Sequence, residues 1–531
     1  MQKALHATAA LTAMALLILL LAACSGGQSE DQAGKEGAGE GSTGEGSTGE
    51  GSSSRAGAGA SPEASETGLQ ASLVPISHLT SSREDVSTAD LSQAPELAVP
   101  QEFREAAGQL LSRSDLEDYD STDAVVDYVG RTPEAVGLVP WDEVGPRTKA
   151  LSVDGISLFD PDPEGYPLRS GSTTVPDAGE LRKVIVGGDI VLDRGQPFAV
   201  FEEGRGIDFP LDGGYAAITG RTLVPNPYDE SNLVYQFEAE RLGEGGAVRE
   251  YLRGADLTLA NFENPVLENA TYHPEDPTFN GDLRLLPILN QGGIDGVTLA
   301  NNHILDAGVP GLEETLGHLE SAGISYAGAG TDLDAAREPM IFDLGGVTIG
   351  VLSYQGVPSY DWAWATEDLP GTAPLLEEVM TEDVERLRPQ VDLVVVMPHW
   401  GIEYTAPPEP EQVELAHAVM DAGADVVVGN HAHWAKGLEL YDGRPIFYGT
   451  GNFLFDQSWS EETSTGIFAD ITLYEDQVVQ ARPVPFVVLD RAQPNLLVRD
   501  PISDRAFETI FSASVGPEFE AYEGSETEES G

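Results

Sequence analysis

Seven side chains able to hold a metal ion or move a proton stand at the ends of apolar runs: Asp189, Glu263, Asn302, His303, His399, His431 and His433. The runs are "KVIVGG", "ADLTLANF", "IDGVTLAN", "VDLVVVMP" and "ADVVVGN". Carboxylate oxygen, amide oxygen and imidazole nitrogen together suit Mn, Fe, Zn or a similar divalent ion. A carboxylate can bridge two ions ~3.5–4 Å apart, which then polarise a phosphoryl-like oxygen and activate water. Each residue alone has a plainer reading, since a carboxylate after Gly-Gly caps a turn and a lone histidine packs. His431 and His433, two apart at a strand end, can point to the same side.

The elements that must deliver these groups are legible in the same runs. Continuous β-branched stretches indicate strands buried on both faces. Helical patterns such as "VPGLEETLGHLESAG" and "PEQVELAHAVMDAG" lie between them. The fold class is therefore α/β, a sheet architecture covered by helices. In open α/β sheets ligands bind beyond the carboxyl ends of strands, which is where the polar groups fall. His318 and His417 lie inside helical patterns and read as non-ligands.

The 531 residues carry 89 acidic and 28 basic side chains, a formal charge of −61. Such a surface repels nucleic acid and anionic headgroups, so neither is expected as a partner. The charge also fits adaptation to high salt, where self-repulsion is screened. Cys24 is the one cysteine, so no disulfide framework exists. Ahead of it come Lys3 and the apolar "LTAMALLILLLAA", which read as a secretory signal over 1–23. Leu21-Ala22-Ala23-Cys24 resembles the bacterial lipobox, implying lipidation at Cys24 and attachment to the outer face of the cell membrane. The alternative is an uncleaved anchor, and either places the rest outside.

Residues 24–69 are rich in Gly, Ser and Glu, with the repeat "EGSTGEGSTGEGSSS", and cannot bury a core. They read as a disordered linker with an r.m.s. span of roughly 35 Å. Residues 70–172 read as a small α/β module, similar to part of a type 2 periplasmic binding protein through "TDAVVDYVGR", "KALSVDG" and "YPL". An ordinary packing domain and a solute sensor both fit it. The segment 491–531 ends in "GPEFEAYEGSETEESG", which reads as a solvated acidic tail.

Residues 180–490 resemble the capsule-synthesis protein CapA family, associated with poly-γ-glutamate capsules. The motifs are "GGDIVLDRG", "ANFENPV", "LANNHILDAGVPGLEETL", "PHWGIEY", "DAGADVVVGNHAHW" and "YGTGNFLFD", in the family's order. The family resembles calcineurin-like metallophosphoesterases, implying a β-sandwich flanked by helices with metal ligands on loops after the strands. The resemblance makes Asp189 a ligand of a first metal and Glu263 the bridging carboxylate. It makes Asn302 a ligand of the second metal, with His399, His431 and His433 completing the set. His303 becomes the proton or hydrogen-bond donor, and Asp306 either orients it or caps the next helix. The implied cofactor is one or two divalent ions, Mn, Zn or Fe.

Around this set the readings branch. Arg194 pairs with Asp193 on the surface or binds an anionic substrate group. Trp400, Glu403 and Tyr404 line a sugar or peptide cleft or only pack, and Asn452 supports the site from a Gly-rich turn. Metallophosphoesterases carry Asp-x-His after the first strand. Here Val191 stands in the histidine's place, so the first metal is a donor short. The resemblance implies a lipoprotein in synthesis or export of an anionic envelope polymer, within a capsule-synthesis membrane complex. Metal-dependent hydrolysis is one reading of its site, and a non-catalytic scaffold or polymer-binding subunit is the other.

Overall fold

The computed structural model describes residues 71–522, apart from 161–162, 171–172, 227–228, 272–277, 358–362 and 501–502. The expected signal at 1–23, Cys24, the linker to residue 69 and the tail from 523 lie outside the described residues. Among the described residues no helix is long and apolar enough to cross a membrane.

Six strands carry the site: β1 (Leu181–Ile190), β2 (Leu257–Phe262), β3 (Gly296–Thr298), β4 (Leu393–His399), β5 (Val426–Val428) and β6 (Asn452–Leu454). β1, β2 and β3 run parallel inside a ten-stranded sheet. β6 pairs parallel with the end of β1, placing Asn452 opposite Asp189. β4 and β5 are parallel neighbours in a second, six-stranded sheet.

The sheets face each other, and alternation along each strand explains why both sides are apolar. Val184 and Val186 of β1 pack with Leu393, Val395 and Met397 of β4 in the core between sheets. Ile185 of β1 turns outward, under Leu312, Leu316 and Leu319 of the helix Gly308–Ala322. Val394 and Val396 of β4 turn the other way, under the helices Glu377–Leu387 and Pro410–Ala422. The second helix starts at Pro410 behind a Glu409/Gln412 capping box and stops at Gly423, whose φ of +118° glycine tolerates without strain. The result is the expected β-sandwich flanked by helices.

Residues 71–170 carry a five-stranded sheet of their own, ordered Glu117–Tyr119, Leu97–Pro100, Val136–Pro140, Leu73–Ser77, Lys149–Ala150. Its core takes in Val479 of the large sheet. A cleft of about 510 Å³ on this module is lined by Asp85, Asp90, Glu96 and Glu134 against Arg83. That excess of carboxylates disfavours phosphate as its occupant.

Two expectations need correction. The main sheet runs past residue 490, because Gln493–Leu497 is one of its inner strands. The C-terminal segment is not all solvated either: Pro517–Tyr522 forms a short helical turn with Phe519 and Glu518 buried. The carbonyl oxygen of Glu518 meets His78 Nε2 at 2.7 Å, and its carboxylate pairs with Arg147 at 3.3 Å. Charge composition alone hid these apolar and polar anchors to the N-terminal module.

Candidate metal centre

β1 is buried from Val184 to Ile190, and at its end the chain approaches β6 closely. A Cβ on Gly188 would lie 1.8 Å from the Gly451 carbonyl oxygen, so only glycine permits this contact. Asp189, Asn452 of β6 and Asn261 of β2 fall in register across three adjacent strands. Asn261 Nδ2 donates to Asp189 Oδ1 at 2.7 Å and to Glu263 Oε2 at 3.4 Å. The other oxygens, Asp189 Oδ2 and Glu263 Oε1, are buried without a hydrogen-bond donor.

The opposite sheet supplies nitrogen. His399 ends β4, and its Nε2 lies 2.6 Å from Asn302 Oδ1, 3.1 Å from His431 Nδ1 and 3.5 Å from Glu263 Oε1. His433 Nδ1 lies 3.3 Å from Asp189 Oδ2 and 3.0 Å from Asn452 Oδ1. Two donor triads result, Glu263–His399–His431 and Asp189–Glu263–His433, each with its atoms within 4.8 Å of one another. Glu263 belongs to both.

Asn301 and Asn302 divide the work of their loop. Asn301 holds it, donating to Phe262 O and Asn261 Oδ1 and accepting from the His303 and Ile304 amides. Asn302 faces His399. His431 and His433 differ from the expected extended strand end. They follow β5 in a loop with φ of +94° and +57°, a region that costs non-glycine residues roughly 1–2 kcal/mol each. That twist turns the two rings toward different triads.

Electrostatics agree with a cation-binding role. Burial, then the neighbouring histidines, holds His399 well below its ordinary value, and burial takes His431 down to about 3. Both imidazoles therefore offer lone pairs at neutral pH. Burial, then the charges of Asp189 and Glu403, pushes Glu263 well up. Two carboxylates this close repel unless a cation lies between them. A buried polar atom left unsatisfied costs about 1–3 kcal/mol. A divalent ion would satisfy the orphaned oxygens, and the N/O donor set fits Mn, Zn or Fe.

The flanking residues separate into those near the triads and those turned away. His303 Nδ1 bonds Asp306 Oδ2 at 2.8 Å, and its ring lies 4.2 Å from that of Phe279. Asp306 thus contacts His303 rather than capping the helix, whose N-cap Ala307 has no side-chain bond. Arg194 pairs with buried Asp456 at 3.2 Å, beside Phe279 and Phe455, not with Asp193 on the surface. Asp193 is itself buried and accepts from the Arg194 and Asn280 amides. Trp400, the residue after β4, is buried in the core beside Tyr448 and donates to Tyr448 O at 3.0 Å. Glu403 is exposed, with Oε1 4.0 Å from His433 Nε2, and the Tyr404 ring is 5.8 Å from the His433 ring. Asn452 faces His433 as described. His318 and His417 bond Glu314 and Glu439. Val191 is buried and packs with Phe279 and Phe455.

Asn261 is the residue that sequence reasoning left without a role. Its signal was the polar Asn two places before Glu263 in an otherwise apolar run, an arrangement that puts both side chains on one face of a strand.

A model of the family described as "Bacterial capsule synthesis protein PGA_cap" matches residues 183–457. The PGA biosynthesis protein CapA of Bacillus subtilis (strain 168) is 32% identical over 275 residues, 49% of this chain and 71% of that protein. The capsule biosynthesis protein CapA of Bacillus anthracis is 32% identical over 228 residues, 41% of this chain and 55% of that one. Among solved structures, Haemophilus influenzae NAD nucleotidase is similar at 13% identity and a TM-score of 0.35, across 64% of this chain and 66% of that one. The stretch that carries the donors is the stretch the family model spans, and the chain belongs to the bacterial capsule synthesis family PGA_cap, the CapA family its motifs resemble.

Proposed function

We propose that this protein serves poly-γ-glutamate capsule assembly outside the cell, tethered by a lipid at Cys24, with a two-ion hydrolytic centre facing the polymer. The observation that carries the centre is the pair of orphaned, buried oxygens, Asp189 Oδ2 and Glu263 Oε1, between two donor triads. Asp189, Glu263 and His433 would hold one ion; Glu263, Asn302, His399 and His431 would hold the other. When bound, such ions polarise a carbonyl or phosphoryl oxygen and make water a nucleophile near neutral pH. His303, oriented by Asp306, gives a proton to the leaving group. The bond is an amide, ester or phosphoester of an anionic envelope polymer.

The charge of −61 opposes a polyanionic substrate at long range. Salt screening and the two divalent ions offset this repulsion at the site. A second reading rests on Val191: with one donor fewer, the ions hold polymer without cleaving it. Metal analysis of the purified full chain, together with assays on a γ-glutamyl peptide and a model phosphodiester, separates the readings. Two ions and turnover lost in His431→Ala support hydrolysis; ions without turnover support the holding role. A chain that takes up no Mn, Zn or Fe overturns both.

A further inference from the structure

The chain carries 28 basic side chains against 89 acidic ones, yet three of them, Lys149, Arg482 and Arg499, line one cleft of about 440 Å³. The cleft lies where the N-terminal module meets the main sheet. Lys149 opens the module's edge strand Lys149–Ala150, and Arg482 stands on the main-sheet strand Gln477–Leu489. Two carboxylates share the lining, Glu84 and Asp470. Asp470 is committed from behind: it is fully buried, and its Oδ2 meets Arg482 Nη2 at 3.0 Å, Lys183 Nζ at 3.1 Å and Tyr251 Oη at 2.8 Å.

Glu84 differs, because its side chain is 58% exposed. It reaches across the cleft, with Oε1 on Lys149 Nζ at 2.5 Å and Oε2 on Arg482 Nη1 at 3.5 Å. The two cations thus already hold one carboxylate between them, on a side chain that can swing into water. Burial holds Lys149 down at about 8; Glu84 pulls it back up, while Arg482 and Arg499 push it down. Cations gathered this closely are stabilised by a further anion.

We propose that this cleft is a second polymer site, where carboxylates of a γ-glutamyl chain displace Glu84 from Lys149 and Arg482. The polymer as occupant rests on the function proposed above. Leu79, Pro483, Val484 and Leu496 line the same cleft and give the chain's methylenes an apolar surface. Both flanking cations are fixed without Glu84: Lys149 Nζ donates to Ser81 O at 2.8 Å, and Arg499 Nη2 to Thr80 O at 3.2 Å. Such preorganisation lowers the cost of binding. The cleft is distinct from the metal centre, since Asp470 pairs with Ile185 on β1, roughly 13 Å before Asp189 at the usual strand rise. It also gives a strongly acidic protein a local cationic foothold for a polyanion.

The test is calorimetric titration of the full chain, stripped of metal by EDTA, with oligo-γ-glutamate. Glu84→Gln removes the competing carboxylate and should tighten binding about 5-fold. Lys149→Gln and Arg499→Gln should each weaken it about 10-fold or more. Glu378→Gln, an exposed acid on the helix Glu377–Leu387, controls for net charge and should change nothing. Thermal melts check folding, and Glu84→Gln carries the test alone if the buried Lys149 variant fails to fold. Equal affinity in Glu84→Gln and Glu378→Gln overturns the inference, as does uptake of inorganic phosphate without oligo-γ-glutamate. Mn²⁺ uptake by untreated samples reports on the metal centre separately: uptake with no Glu84 effect fails this cleft alone, and a Glu84 effect without uptake fails the centre alone.

Discussion

Asn261 Nδ2 donates to Asp189 Oδ1 over 2.7 Å, from one parallel strand to the next. The bond leaves Asp189 Oδ2 as the oxygen turned toward His433. Asn261 is held in turn by Asn301 Nδ2 and Thr298 Oγ1 on its own oxygen. Second partners of this kind typically change metal affinity 10–100-fold when removed. Asn261→Ala should therefore weaken Mn²⁺ binding by about that factor, measured by calorimetry, and also lower the melting temperature, because its buried partners lose their bonds. Unchanged affinity would show the bond to be only structural.

Asp306 bonds His303 Nδ1 at 2.8 Å and also accepts the Phe279 amide. His303→Gln should lower kcat by about 10²–10⁴-fold, the usual loss for a general acid. Asp306→Asn should lower kcat by a smaller factor, with metal content unchanged in both. A rise in KM alone, with kcat intact, would assign the pair to binding.

His78 links the N-terminal module to Glu518, and burial lowers its pKa from the usual 6.5. The fold holds the neutral ring, whereas the unfolded chain protonates near pH 6.5. The ring's contribution to stability is therefore complete above about pH 6.5 and falls as pH drops toward the lowered folded value, by at most ~1.4 kcal/mol per pH unit. Urea midpoints at pH 7.5 and pH 5.5 should differ more for wild type than for His78→Gln. Equal pH dependence would remove His78 from the linkage.

The formal charge of −61 makes self-repulsion a large destabilising term at low ionic strength. Raising NaCl from 0.1 M to 1 M shortens the screening length from about 10 Å to about 3 Å. The melting temperature should rise by several degrees across that range, with an uncharged osmolyte as control. A flat salt response would end the high-salt reading.

Cys24 follows Leu21-Ala22-Ala23 directly. A cell expressing the full chain should incorporate labelled palmitate into it and retain it in the membrane fraction. Cys24→Ser should lose the label and release the protein. Label retained in Cys24→Ser would exclude acylation at that thiol.

Much of this molecule is local enough to be read from the chain. Strands buried on both faces are continuous apolar runs, so their existence and their polar ends are visible without coordinates. The site's finer logic is not local. Trp400 sits one residue after His399, yet the indole lies in the core beside Tyr448. Phe519 stands between Glu518 and Glu520, and only the tertiary structure shows it packed into the core between the sheets.

The α/β class and the donor types at the strand ends are properties of the sequence by itself, because alternation and apolar run length are set residue by residue, whereas the sandwich was implied only by the family resemblance. Which oxygen of Asp189 is left open, how His431 and His433 turn apart, and that Asn452 meets His433 while Glu403 approaches it were decided only by tertiary structure. Those relationships join segments far apart in the chain, and close packing between two sheets, not any local preference, sets the distances between them.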